Sequence, residues 1–238
     1  MNQEEYQEYR ALRQQVEEHP GLQYLESRRI HDNSLEIYGG NFKELSGLLS
    51  FIENPGTYLR PEVDEKKRSE LFSELHRHLH NYLAAAESLA SHTRSYIKHR
   101  HSDDKIGSAY SDKVREVFLG HVPTVLIKDF RNYFLHAGLP KSSIRETFNV
   151  DTGEPPRIQV LIKVEELLKW KKWSSASKEF LRSQEKVLRL SRLVADYHNN
   201  VVSFYGWFDE LLDVEHGEEV EEMNALAAKV IAMEKARR

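Results

Sequence analysis

The 238-residue chain carries a formal charge of −4, is 39% hydrophobic and 30% charged, and contains no cysteine. Ten Phe and eleven Tyr need burial, which excludes disorder along the whole length and fits one substantial core or two small domains. Disulfides, thiolate catalysis and sulfur-rich zinc sites are excluded as well.

No stretch approaches the ~20 apolar residues of a spanning helix. The start, Met1-Asn2-Gln3-Glu4-Glu5-Tyr6, has neither the positive charge nor the apolar run of a secretory signal. The expectation is a cytoplasmic protein with no membrane partner. Charge is unevenly spread: residues 1–62 hold 6 Lys/Arg against 11 Asp/Glu, whereas residues 169–192 hold 8 against 2. A polyanion meets the local field, so a mildly acidic protein can still present a basic surface.

Taken in order, Tyr6, Tyr9, Leu12 and Val16 form one helical stripe over 3–18, which His19-Pro20-Gly21 stops. Leu35-Glu36-Ile37-Tyr38 alternates like a short strand closed by Gly39-Gly40, and a short helix follows over 43–52. From about Pro61 to Arg100 there is no internal Pro or Gly. Leu71, Leu75, His78, Tyr82, Ala85, Leu89 and His92 recur there three or four apart, which predicts a helix of roughly 35 residues, or about 50 Å. A helix that long needs a partner surface. A short helix over 109–119 and another from Val122-Pro123 to Ala137-Gly138-Leu139-Pro140 come next.

Residues 147–164 change period. Ile158, Val160, Ile162 and Val164 share one face, which predicts a β-hairpin turning at Asp151-Thr152-Gly153-Glu154-Pro155-Pro156. Helix returns over 174–214, with Leu190, Val194, Tyr197, Val201, Phe204, Phe208 and Leu211 as a second long seam. Lys178, Arg182, Lys186 and Arg189 stand three or four residues apart as a basic face near its start. A last helix is expected over 217–236. Together these predict a mainly α protein: an antiparallel helical bundle with two long helices and a small β-hairpin near 147–164. An acidic, partly helical extension over 1–62 packs on the main domain, 63–238.

Chemistry concentrates in Arg131-Asn132-Tyr133-Phe134-Leu135-His136. Arg131 is a permanent planar cation suited to phosphate, and His136 moves a proton near neutral pH. Asn132 lies one turn before His136, on the same helix face. Arg131 and His136 leave an ideal helix about 140° apart, so both reach one ligand only if another helix or subunit supplies the opposite wall. An Arg and a His on the edges of a helix are also ordinary surface residues.

The combination Arg131, Asn132, His136 on a late helix of an α-helical chain resembles the Arg-x4-6-His motif of the HEPN superfamily (higher eukaryote and prokaryote nucleotide-binding domains). The resemblance implies a metal-independent endoribonuclease without cofactor, in which the neighbouring 2′-hydroxyl attacks the phosphate. It implies that Arg131 holds the phosphate, His136 transfers the proton and Asn132 steadies the site. It further implies a homodimer whose two motifs face one cleft. RNA would be the substrate, with an antitoxin or other partner protein if the chain is a toxin or defence protein. Other members of that superfamily are inactive scaffolds, so a non-catalytic helical binding or dimerisation module is the alternative.

Three further features bear on chemistry. His76 and His80 are one turn apart, the spacing of two imidazole ligands, yet no His-Glu-x-x-His or obvious third ligand accompanies them; a metal enzyme is the least favoured reading. His80 and Asn81 stand as accessory residues beside the motif helix, and Lys178, Arg182 and Lys186 as RNA contacts. Trp170 and Trp173, within a lysine run, suit either stacking on single-stranded RNA or docking against the helices, and the docking role is preferred.

Overall fold

The computed structural model describes residues 3–149, 153–184 and 186–236. These form a mainly helical protein with one small antiparallel sheet. In chain order the elements are α1 (Gln3–Glu17), α2 (Pro20–Glu53), α3 (Pro55–Tyr58), α4 (Glu65–Arg100), α5 (Lys105–Phe118), α6 (Val122–His136), β1 (Ser142–Thr147), β2 (Arg157–Lys163), α7 (Val164–Leu167), α8 (Ser175–Ser183), β3 (Val187–Arg189) and α9 (Leu190–Lys235). None of these helices is long and apolar enough to cross a membrane.

The strand expected at 35–38 is helix. Within α2 the buried residues Tyr24, His31, Ser34, Tyr38, Leu45, Leu49 and Ile52 recur at three, four and seven residues. The local alternation was a short sample of that longer period. His19-Pro20-Gly21 stops α1 but also starts α2. The His19 side chain accepts the Gly21 amide at 3.1 Å, and Pro20 occupies the first turn, where its missing N–H costs nothing. A Cβ on Gly21 would collide with the Glu219 carbonyl oxygen, so the lack of a side chain lets α2 approach the backbone of α9.

α2 packs against both α4 and α9. Leu45 and Ile52 from α2, Leu75 and Tyr82 from α4, and Phe204 and Phe208 from α9 belong to one buried cluster. The two apolar seams read from the sequence are therefore faces of a shared core, and residues before 62 contribute to it. The position 62/63 falls in the connection between α3 and α4.

The hairpin exists, with its first strand earlier than expected. β1 pairs antiparallel with β2 from Ser142↔Ile162 to Thr147↔Arg157; Val150 of the expected first strand and Asp151 and Thr152 of the expected turn lie outside the described residues. Ile158, Val160 and Ile162 are buried, as their period-two spacing requires.

A single helix over 174–214 is not formed. The chain leaves α8 at Gln184, and β3 pairs with β2 at Leu161↔Arg189, Ile162↔Leu188 and Lys163↔Val187. Satisfying that edge of β2 outweighs continuing the helix. α9 then runs without interruption to Lys235, absorbing the separate helix expected over 217–236. Lys178 and Arg182 lie on α8 while Lys186 and Arg189 lie beyond it, so the expected single basic helix face is split.

Candidate functional site

α6 carries the Arg-Asn-x3-His run, and its opposite face is firmly anchored. Asp129, 9% exposed, accepts the Ser174 amide at 2.9 Å and so ties α6 to the start of α8. Phe130 and Tyr133 each lie 5.5 Å, ring centre to ring centre, from Trp173. Trp170 meets Tyr133 edge-on at 5.6 Å. Trp173 is buried, and its indole N–H donates to the Leu167 carbonyl at 2.7 Å. These aromatic groups act as a clamp behind α6. The helix ends at Ala137, followed by Gly138 at φ +107°, a backbone conformation that favours glycine.

With that face spent on packing, Arg131, Asn132 and His136 are left over. Arg131 and Asn132 are half-buried and His136 is exposed. Among the described residues none of the three makes a side-chain hydrogen bond or ion pair. Exposed Leu135 and Leu139 lie beside His136 in the chain. Arg131 contributes to the wall of a cleft of about 300 Å3 between α4, α5, α6 and α9, whereas Asn132 and His136 do not. Within a single chain Arg131 therefore faces the cleft and the Asn132–His136 pair does not.

Of the two residues expected to be accessory, His80 lies near this end of α6. The His80 ring lies 6.3 Å from Phe134, and α4 packs against α6. Asn81 is half-buried on the same helix. His76 Nε2 is 3.4 Å from the Ser142 hydroxyl, just beyond α6; burial lowers its pKa, with the Pro140 carbonyl opposing that shift. His78 faces elsewhere, toward Glu44 at 3.1 Å and Glu74 at 3.6 Å.

Among the described residues the three acidic or imidazole groups with ligand atoms within 4.8 Å of one another are His31, Asp32 and Asp209, without His76 or His80. Arg28 already occupies that place, bonding Asp32 at 2.9 Å and Asp209 at 3.1 Å. The guanidinium neutralises the carboxylates that a cation would need. Sequence spacing cannot show this network, because Arg28, His31 and Asp32 on α2 meet Asp209 on α9 only in the folded chain.

Of the expected RNA contacts, Arg182 and Lys186 share a second cleft of about 540 Å3 with Arg145 and Lys163. Lys178 does not line it. Four cations face Glu165 there, which makes the cleft basic although its residues come from three separate stretches of chain. The sequence reading missed Arg145 and Lys163, which only the sheet brings alongside α8.

No protein-family model, curated protein or solved structure matches this chain.

Proposed function

We propose that the chain is a HEPN-like, metal-independent endoribonuclease acting as a homodimer, with α4, α6 and α9 as parts of an antiparallel helical bundle. The observation that supports this reading is that Arg131, Asn132 and His136 are accessible, yet make no side-chain hydrogen bond or ion pair among the described residues. In the proposed reaction a 2′-hydroxyl attacks the adjacent phosphorus. The new P–O bond closes a 2′,3′-cyclic phosphate, and the 5′-oxygen leaves and takes up a proton. The nucleophile is already held within the substrate. Arg131 stabilises the phosphoryl oxygens, His136 transfers the proton, and Asn132 orients His136 from one turn away.

A second copy is required because Arg131 and His136 diverge on α6. The exposed Leu135 and Leu139 flank the motif with apolar surface suited to such a partner. Arg182 and Lys186, with Arg145 and Lys163, would hold the RNA backbone farther along. A toxin or defence role fits this activity, with an antitoxin as partner.

The test is cleavage of RNA in excess chelator. Wild type cuts, and His136→Ala and Arg131→Ala each lose at least ~100-fold. Undiminished cleavage by folded His136→Ala protein removes the histidine from the mechanism.

A second reading, a non-catalytic binding or dimerisation module, is favoured by one observation: Arg131 borders an apolar cleft that His136 does not reach. Dimerisation and RNA binding without cleavage would select it.

A further inference from the structure

The cleft beside Arg131 is open space where a packed interior has side chains. It measures about 300 Å3, near the lower end of small-molecule pockets. Leu83, Ala86, Ala90, Val114, Val201 and Phe204 make most of the wall apolar.

Its charged groups do not balance. Glu87 and Arg94 both line the cleft and bond one another at 3.1 Å, cancelling. Lys128 and Arg131, one turn apart on α6, remain, and neither has an ion-pair or hydrogen-bond partner among the described residues. Tyr197 adds an unused donor: it lines the cleft, is 8% exposed, and its hydroxyl makes no hydrogen bond among the described residues. Burial, chiefly, raises the Tyr197 pKa, with Tyr38, Tyr205 and Glu87 adding to the shift, so it stays a neutral phenol.

An apolar chamber with two unpaired cations at one wall selects an amphipathic anion over a neutral or cationic ligand. We infer that this cleft binds a medium-chain acyl carboxylate, its chain among the α4, α5 and α9 side chains and its carboxylate on Lys128 and Arg131. Planar Arg131 suits a carboxylate through paired N–H donors. The site is separate in kind from the RNA chemistry proposed above, sharing only Arg131 with it.

Isothermal calorimetry on the full chain tests this with octanoate, 1-octanol and octylammonium, equal in chain length and different in charge. Octanoate is expected to bind saturably at one per chain, about tenfold or more tighter than octanol, with octylammonium weakest. Lys128→Gln should weaken octanoate about tenfold and leave octanol unchanged. Ala90→Trp, or Val114→Trp on the facing helix should the first fail to fold, should fill the chamber and abolish binding of both. Absence of saturable octanoate binding, equal affinity for octylammonium, or unchanged binding in a folded occluded variant would each overturn the inference. The readout is binding alone, so a chain inactive on RNA leaves the test intact.

Discussion

Asp129 is a carboxylate two residues before the motif arginine, and its task is structural. It is nearly buried and accepts the Ser174 amide, so Asp129→Ala leaves a half-buried N–H unpaired. We expect a loss of about 1–3 kcal/mol in urea unfolding, accompanied by weaker RNA cleavage because α6 loosens. Two histidines set a pH dependence. Burial lowers the pKa of His198, which stacks on Phe42 at 3.4 Å and meets the Tyr38 hydroxyl at 3.2 Å; burial likewise lowers that of His76. The unfolded chain, with histidine pKa ~6.5, then binds protons that the folded chain refuses. Stability from these groups is complete above ~6.5 and falls as pH drops through their folded values. The melting temperature should decline between about pH 7 and pH 5, and a His76→Gln/His198→Gln variant should flatten that decline. At this scale the sequence was most informative where the site is one contiguous run. Arg131, Asn132 and His136 could be found because they are neighbours on one helix. Lys128 and Tyr197 could not, because their role depends on a cleft that four helices enclose across more than a hundred residues.

Among the elements, α2 gives the clearest contrast. Its middle reads as strand and turn because a four-residue window catches Leu35 and Ile37 on alternate positions and Gly39-Gly40 after them. Burial follows the longer spacing from Tyr24 through Tyr38 to Ile52 instead, and packing against α4 and α9 outweighs the glycine propensity. Gly40 is exposed, and a Cβ there would meet nothing within 4 Å. Gly40→Ala should therefore stabilise the protein by about 0.5–1 kcal/mol, the reverse of what a turn glycine would give. Gly21→Ala should destabilise it, since the new methyl would drive into the Glu219 carbonyl of α9. Thermal melts of the two variants, moving in opposite directions, check this account of α2. The elements that could be read directly, α4 and α6, have long uninterrupted periods or a sharp Gly-Pro stop. β3 escaped because three residues carry no periodicity of their own. It forms because β2 needs an edge partner.

For the whole molecule, helices α4, α6 and α9 surround one core that α2 completes. The functional proposal depends on what that core leaves unused. Side chains on the inner face of α6 are committed to Trp173, Ser174 and the core, while Lys128, Arg131, Asn132 and His136 make no side-chain hydrogen bond or ion pair among the described residues. Two copies related so that their α6 helices face one another would bring a His136 toward the Arg131 that a single copy keeps apart from it. The direct measurement is end-group analysis of RNA incubated with the protein in excess chelator, using matched substrates with ribose or 2′-deoxyribose at the cut position. The proposal predicts 2′,3′-cyclic phosphate and 5′-hydroxyl ends from the ribose substrate and no cut at the deoxy position. Cleavage of both substrates alike, or cleavage that stops when metal is removed, would contradict it.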